Sequence, residues 1–345
     1  MKPNLLDLTL EEFEKAVKPP FHARQAFQWI YEKHVFDFAK MTDLPAKVAR
    51  KLADQYDIIP AKILKVQSNV DPLRIDGAEK LLIELVDGAK IETVLIYEED
   101  RATACLSTQI GCAMGCIFCA SGSGGFERNL ASGEIMAQWL LAAQYAEQAT
   151  AGKKTITNTV LMGMGEPLAN YDNTVRFIKA ATAPWGLRLS ARRITVSTLG
   201  LVKMIQRLAQ EDLKINLAIS LHAPNDSIRS RIVPRNEGIN RIIDAAQKYF
   251  ETTGREITFE YVLLDDTNCE KAHAEELAKR LQGFQCNVNL IPLNPSTNLR
   301  ADLKPPTYDK VLDFQKTLRR LGVNATLRKS KGAKIQAACG QLRRH

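Results

Sequence analysis

Between residues 102 and 294 the chain alternates short β-branched runs with longer amphipathic stretches, and this alternation limits the fold more than any other feature. Strand-like runs lie at 155–162, 193–198, 214–222, 256–264 and 287–294, and one more carries Cys105. Helical patterns stand between them, as at 133–149 and 269–283. Repeated strand–helix–strand units specify parallel strands joined by crossover helices. Six such units predict an α/β fold, a partial (β/α)6 barrel. Residues that carry chemistry in such barrels collect at the C-terminal ends of the strands.

Upstream the pattern changes twice. Residues 1–57 read as a helical accessory domain: Thr9-Leu10-Glu11-Glu12 has the form of a capping box, and Pro45 stands at a first helical position before 46–56. The mixed aromatic and basic residues of 21–35 suit either a nucleic-acid-binding helix or the core of a plain helical cap. Residues 58–97 hold alternating runs at 62–68, 80–87 and 90–97, with Asp87-Gly88 as a hairpin turn. They predict an antiparallel connector. A core barrel at 98–330 and a basic C-terminal segment at 331–345 complete the expected division.

Cys112, Cys116 and Cys119 follow the first barrel strand with the spacing C-x3-C-x2-C. A loop this short wraps one compact centre, and thiolates select zinc or iron–sulfur clusters. A cubane [4Fe–4S] cluster normally takes four cysteines, so three would leave one iron open to a further ligand. A zinc site completed by a distant Cys or His is the competing reading. The other strand ends carry suggestive runs: Gly163-Met164-Gly165-Glu166-Pro167 after the second, Ser197-Thr198 at the third, Ser220-Leu221-His222 at the fourth and Asn294-Pro295 at the sixth.

Seven cysteines, an odd number in a large chain, argue against a disulfide framework and suit a reducing cytoplasm. No apolar run approaches the length of a membrane span, and the acidic residues among the first apolar positions exclude a secretory signal. The net charge of +8 is concentrated: residues 314–345 hold nine Lys or Arg and no acid, leaving 38 basic against 39 acidic residues elsewhere. Such a segment predicts a polyanion-binding surface, with Arg328, Lys329 and Lys331 on phosphate.

Six motifs together resemble one family. CLSTQIGCAMGCIFCASGSGGFERNL (105–130), GMGEPLAN (163–170), RRITVSTLG (192–200), ISLHAP (219–224), NLIPLNP (289–295) and AACGQL (337–342) are similar to the RlmN/Cfr family of radical S-adenosylmethionine (SAM) RNA adenosine methyltransferases. FERNL and the Pro after Gly165-Glu166 resemble the RlmN branch, which methylates C2 of adenosine, more than the Cfr branch, which methylates C8. The resemblance implies one [4Fe–4S] cluster held by Cys112, Cys116 and Cys119, with SAM on the open iron. It places Gly165, Glu166, Ser197, Ser220, Leu221, His222 and Asn294 along SAM.

It also implies that Cys339 takes a methyl group from a first SAM. A second SAM, split reductively, yields the radical that removes hydrogen from that methyl. The carbon then adds to adenine, and Cys105 resolves the adduct through a transient disulfide with Cys339. Glu92 matches the family's proton acceptor. The implied partners are 23S ribosomal RNA, transfer RNA, and an electron donor such as flavodoxin with its reductase, the enzyme acting as a monomer. Without the resemblance, Cys105 and Cys339 pass for core residues and Glu92 for a solvated hairpin residue, while Cys269 and Cys286 match no motif. A zinc-stabilised RNA-binding protein without catalysis is the alternative of a different class.

Overall fold

The computed structural model describes residues 2–296, 299 and 302–343. Its centre is a ten-stranded sheet. The strands are β1 (Ala61–Ser68), β2 (Gly77–Leu85), β3 (Lys90–Tyr97), β4 (Ala102–Cys105), β5 (Gln109–Gly111), β6 (Phe126–Asn129), β7 (Asn158–Leu161), β8 (Ile194–Thr198), β9 (Asn216–Ser220), β10 (Ile257–Leu263), β11 (Cys286–Pro292) and β12 (Asn324–Leu327). The sheet order is β1-β2-β3-β4-β7-β8-β9-β10-β11-β12, and β5 pairs with β6 apart from it. Pairing is antiparallel from β1 to β4 and parallel from β4 to β12. Side chains from β4, β7, β8, β11 and β12 (Cys105, Asn158, Thr195, Asn289 and Thr326) line one cavity, so the parallel part curls on itself. This is the α/β partial barrel that the alternation predicts.

One feature departs from the sequence reading. A seventh parallel strand, β12, follows the sixth; four residues are too few for a periodicity to register. The antiparallel strands lead into the barrel within one continuous sheet. β3 pairs with β4 in the register Val94↔Cys105.

The helical N-terminal region docks on the helical side of the barrel through local chemistry. Thr9 and Glu12 form the capping box, Oγ1 accepting from the Glu12 amide at 3.2 Å and Glu12 accepting from the Thr9 amide at 2.6 Å. Pro45 is the N-cap of Ala46–Gln55, one position before the one expected. Phe13 stacks on Phe27, and Phe27 and Tyr31 pack against Trp185, so these two aromatics of 21–35 are core, while Trp29 is half-buried and Phe21 exposed. Asp7 reaches across to the helix Ser132–Ala149, accepting from the Gly133 amide at 2.7 Å and the Ser132 hydroxyl at 3.1 Å. Among the described residues no helix is long and apolar enough to cross a membrane.

Candidate active site

The short β5–β6 ladder closes the cysteine loop at its base. Gly111 makes this closure feasible. Its φ is +73°, and a Cβ there would lie 1.8 Å from the Gly125 carbonyl oxygen. Inside the loop the Cys112 amide donates to Gly125 O at 3.0 Å and the Cys119 amide to Cys116 O at 3.1 Å, while the Ile117 amide reaches Ile232 O. Cys112, Cys116 and Cys119 are half-buried and stand around one end of a cavity. Burial pushes the Cys112 thiol up to about 12 and raises the other two, which also repel one another as thiolates. Only a bound cation would hold such a group ionised. Among the described residues no three His, Cys, Asp or Glu side chains converge on a point suited to a single metal ion.

The same cavity is lined by Gly165, Glu166, Ser197, Ser220, His222 and Asn294, brought together from the ends of β7, β8, β9 and β11. Gly165 has φ +105° and lies against Gln109, whose side chain would meet a Cβ at 2.6 Å. The Glu166 carboxylate is buried and tied to backbone, accepting from Leu168 N at 3.0 Å and Leu199 N at 2.7 Å. Desolvation pushes its pKa up to about 7 in spite of those bonds. His222 adopts φ +60°, accepts from the Val262 amide on Nδ1 at 3.0 Å, and packs edge-on against Phe118. Burial and the nearby Arg229 charge depress its pKa to about 3, so the ring is neutral. Leu221 is fully buried beside these residues, and its carbonyl accepts from Arg229 Nε at 2.9 Å.

Arg229 is not singled out by the sequence. It is fully buried and also donates to Leu199 O at 2.6 Å and Ser220 O at 3.1 Å, fastening the ends of β8 and β9. Glu260, on β10, is a second such residue: it lines the cavity and accepts from Asn289 at 2.8 Å, with burial raising its pKa. No residue-type pattern marks either one. Their roles arise from strands that meet only in the fold.

Cys339 lies on the wall between this cavity and a second one. Cys105 lines the second cavity too, where the Cys339 charge adds to the forces that raise its pKa. Burial pushes the Cys105 thiol up to about 12, and the Arg328 guanidinium opposes that shift. Arg328 lines both cavities, and the Cys339 charge is the main influence on it. The turn around Cys339 is held by Asn294 Nδ2 to Cys339 O at 3.2 Å, the Ala120 amide to Gly340 O at 2.7 Å, and Ser121 Oγ to Leu342 O at 2.7 Å. Glu92 is fully buried and ion-paired with Lys80 rather than solvated on a hairpin face.

The expected phosphate-binding trio needs correction. Arg328 faces the cysteines, and Lys331 is spent on Asp76 and the Tyr97 carbonyl; Lys329 alone of the three is exposed. A basic residue near an acid or a cavity binds there before it reaches solvent, which a charge count cannot reveal. Arg344, also counted in that segment, lies outside the described residues.

Comparisons with known proteins agree with this geometry. A family model described as the radical SAM superfamily matches residues 106–278, and one described as the ribosomal RNA large subunit methyltransferase N-terminal domain matches residues 3–58. A probable dual-specificity RNA methyltransferase RlmN of Alkaliphilus metalliredigens is 44% identical, covering 99% of this chain and 96% of that protein. The corresponding protein of Dictyoglomus thermophilum is 42% identical with the same coverage. The crystal structure of a radical SAM methyltransferase from Sphaerobacter thermophilus superposes with a TM-score of 0.94, at 45% identity and 99% coverage of both chains. The non-catalytic zinc reading is thereby set aside. A cysteine loop at the mouth of a parallel barrel, and relatives matched from end to end, place the chain in the RlmN family of radical SAM RNA methyltransferases, enzymes whose superfamily works with a [4Fe–4S] cluster and SAM.

Proposed function

We propose that this enzyme methylates C2 of adenosine in 23S ribosomal RNA and in transfer RNA, consuming two SAM per turnover, with Cys339 as methyl carrier and Cys105 as resolving thiol. One observation carries the reading. Cys105 and Cys339, distant in sequence, meet on the second cavity, and Cys339 also borders the cavity that holds the three-cysteine loop. Cys112, Cys116 and Cys119 fit the cluster, since they supply three half-buried thiols around one cavity end. Gly165, Glu166, Ser197, Ser220, His222 and Asn294 would hold SAM beside it, with Leu221 supporting them from behind. Glu166 would shape the wall there, its carboxylate and its backbone amide both being engaged within the protein. When bound, cluster and SAM supply a carbon radical able to take hydrogen from a methyl group.

Adenine C2 is electron-poor and carries no lone pair that could attack SAM. A carrier thiol removes that difficulty. The Cys339 thiolate accepts a methyl group by displacement, and after losing one hydrogen this carbon forms a bond to C2. The adduct gives up the C2 proton and returns the one electron that SAM cleavage consumed. The Cys105 thiolate then attacks the Cys339 sulfur to form the disulfide, and the sulfur–carbon electron pair leaves with the carbon, which takes a proton from water to become the methyl group. The positive Arg328 faces both sulfurs and opposes the burial that raises the Cys105 thiol. The base would enter through the second cavity, whose lining includes Arg101, Asn158, Asn289 and Lys329. RNA phosphate contacts would come from residues 1–57 and the exposed basic side chains, and the electron from a donor such as flavodoxin.

The order of events sets the test. Cys339→Ala is expected to give neither methylated protein nor methylated adenosine. Cys105→Ala is expected to load Cys339 and then stall with RNA attached covalently, visible as a nuclease-sensitive band on a denaturing gel. Normal turnover by Cys105→Ala, or RNA retained on Cys339→Ala, would overturn this division of labour. Mass spectrometry of the nucleosides separates C2 from C8 methylation.

A further inference from the structure

The segment that carries Cys339 is held from the far side by a buried ion pair on the antiparallel strands. Lys80 on β2 and Glu92 on β3 lie 2.9 Å apart, Nζ to Oε1, and both side chains are almost wholly buried. Each also grips the carrier segment by its backbone. Lys80 Nζ donates to Gln336 O at 2.9 Å, three residues before Cys339, and Glu92 Oε2 accepts from the Arg343 amide at 2.9 Å, four residues after it. The pair thus brackets the carrier turn. Asn69 adds a third hold, donating to Lys331 O at 2.6 Å. Within the bracket the chain passes through left-handed conformations at Gln336 (φ +54°) and Gly340 (φ +82°), a tight loop whose own bonds are short-range, as from the Gln341 amide to Ala338 O at 3.0 Å.

We propose that Lys80 and Glu92 form a clip that positions Cys339, acting through the backbone of residues 336–343 and touching neither RNA nor SAM. This rests on Cys339 being the methyl carrier. Such a carrier must face a methyl donor, then a hydrogen acceptor, then a base, then Cys105, and a loop free to wander would miss one of them. The clip assigns Glu92 to positioning in place of proton transfer. Both of its carboxylate oxygens are engaged, and it is not among the described residues that line either cavity. A buried pair of this kind costs desolvation on both sides, and its retention fits a role in conformational specificity.

The test uses the full-length, anaerobically cluster-loaded protein. Lys80→Met alone strands a buried carboxylate and risks unfolding, so the main variant is Lys80→Met with Glu92→Leu, which replaces the pair by apolar groups of similar size. Hydrogen exchange of residues 332–343 is expected to accelerate by about ten-fold or more in the double variant. The yield of 5′-deoxyadenosine per methylated adenosine is expected to rise as cleavage uncouples from transfer. Lys80→Arg, which keeps charge and donors, is expected to restore both. Unchanged protection of 332–343 in a natively folded double variant would overturn the clip. So would Glu92→Gln that keeps this protection, keeps methyl loading of Cys339, and loses only RNA methylation, for that pattern assigns a proton acceptor. An absence of methyl on Cys339 in the wild-type protein defeats the carrier reading instead, and the clip then stands or falls on exchange alone.

Discussion

Glu166 is a carboxylate placed where a carboxylate is costly, and its titration reports the fact. In the unfolded chain it loses its proton near the ordinary 4.5; in the folded one, near 7. Between these values the unfolded state holds fewer protons, so stability of the cluster-free protein is expected to fall as pH rises from about 4.5 to 7 and to level off above. The loss is on the order of 3 kcal/mol. Glu166→Gln should abolish that slope in urea titrations, while its amide group, forced against the Leu168 or Leu199 N–H, costs about 1–3 kcal/mol at low pH. A slope unchanged in Glu166→Gln would trace the pH dependence to another group. At this scale legibility followed residue chemistry. Three cysteines within eight residues announce themselves, and Gly165, Ser197, Ser220, His222 and Asn294 stand at strand ends where a barrel puts its site. Arg229 and Arg328 read as ordinary basic residues. Only assembled strands show that the first fastens two of them and the second faces two thiols.

Among elements, the cysteine loop depends on the two strands at its base. Gly111→Ala puts a methyl group into the Gly125 carbonyl and forces a non-glycine residue to φ +73°. We expect a folded barrel with little iron after reconstitution, measured as iron per chain beside a native far-ultraviolet spectrum. Full iron loading would mean that the loop closes without the β5–β6 ladder. The helix Ser132–Ala149 gives a second case, because its cap comes from another part of the chain. Asp7→Ala removes the acceptor for the Gly133 amide and a negative charge at a helix N-terminus, a loss of about 1–2 kcal/mol. A lowered denaturation midpoint would register it, and an unchanged one would show water replacing the carboxylate at no cost. The long periodic elements are readable from the sequence within a few residues of their ends. β5, β6 and β12, at three or four residues each, are not, since their existence depends on partners rather than on pattern.

For the whole molecule, the sequence puts the charge excess at one end of the chain, and the fold redistributes it. Arg328 and Lys331 are occupied inside, whereas Lys47, Arg50 and Lys51 stand exposed on the helix Ala46–Gln55 without an ion pair among the described residues. Replacing these three by Gln is expected to flatten the dependence of log RNA affinity on log salt by roughly 0.7–0.9 for each phosphate no longer neutralised. Lys331→Gln should leave the slope alone. The reverse outcome would return the polyanion surface to the C-terminal segment. The continuity of the sheet bears on inheritance. Because β3 and β4 are neighbours in the register Val94↔Cys105, joined by the turn at 98–101, a slip of one residue in that pairing would invert the facing of one strand against the other. Glu92 and Cys105 would no longer address the same interior. A recombinant that takes residues before 98 from one homologue and the remainder from another is therefore expected to work only when the joined halves keep this register, which makes the accessory strands and the barrel one unit of exchange.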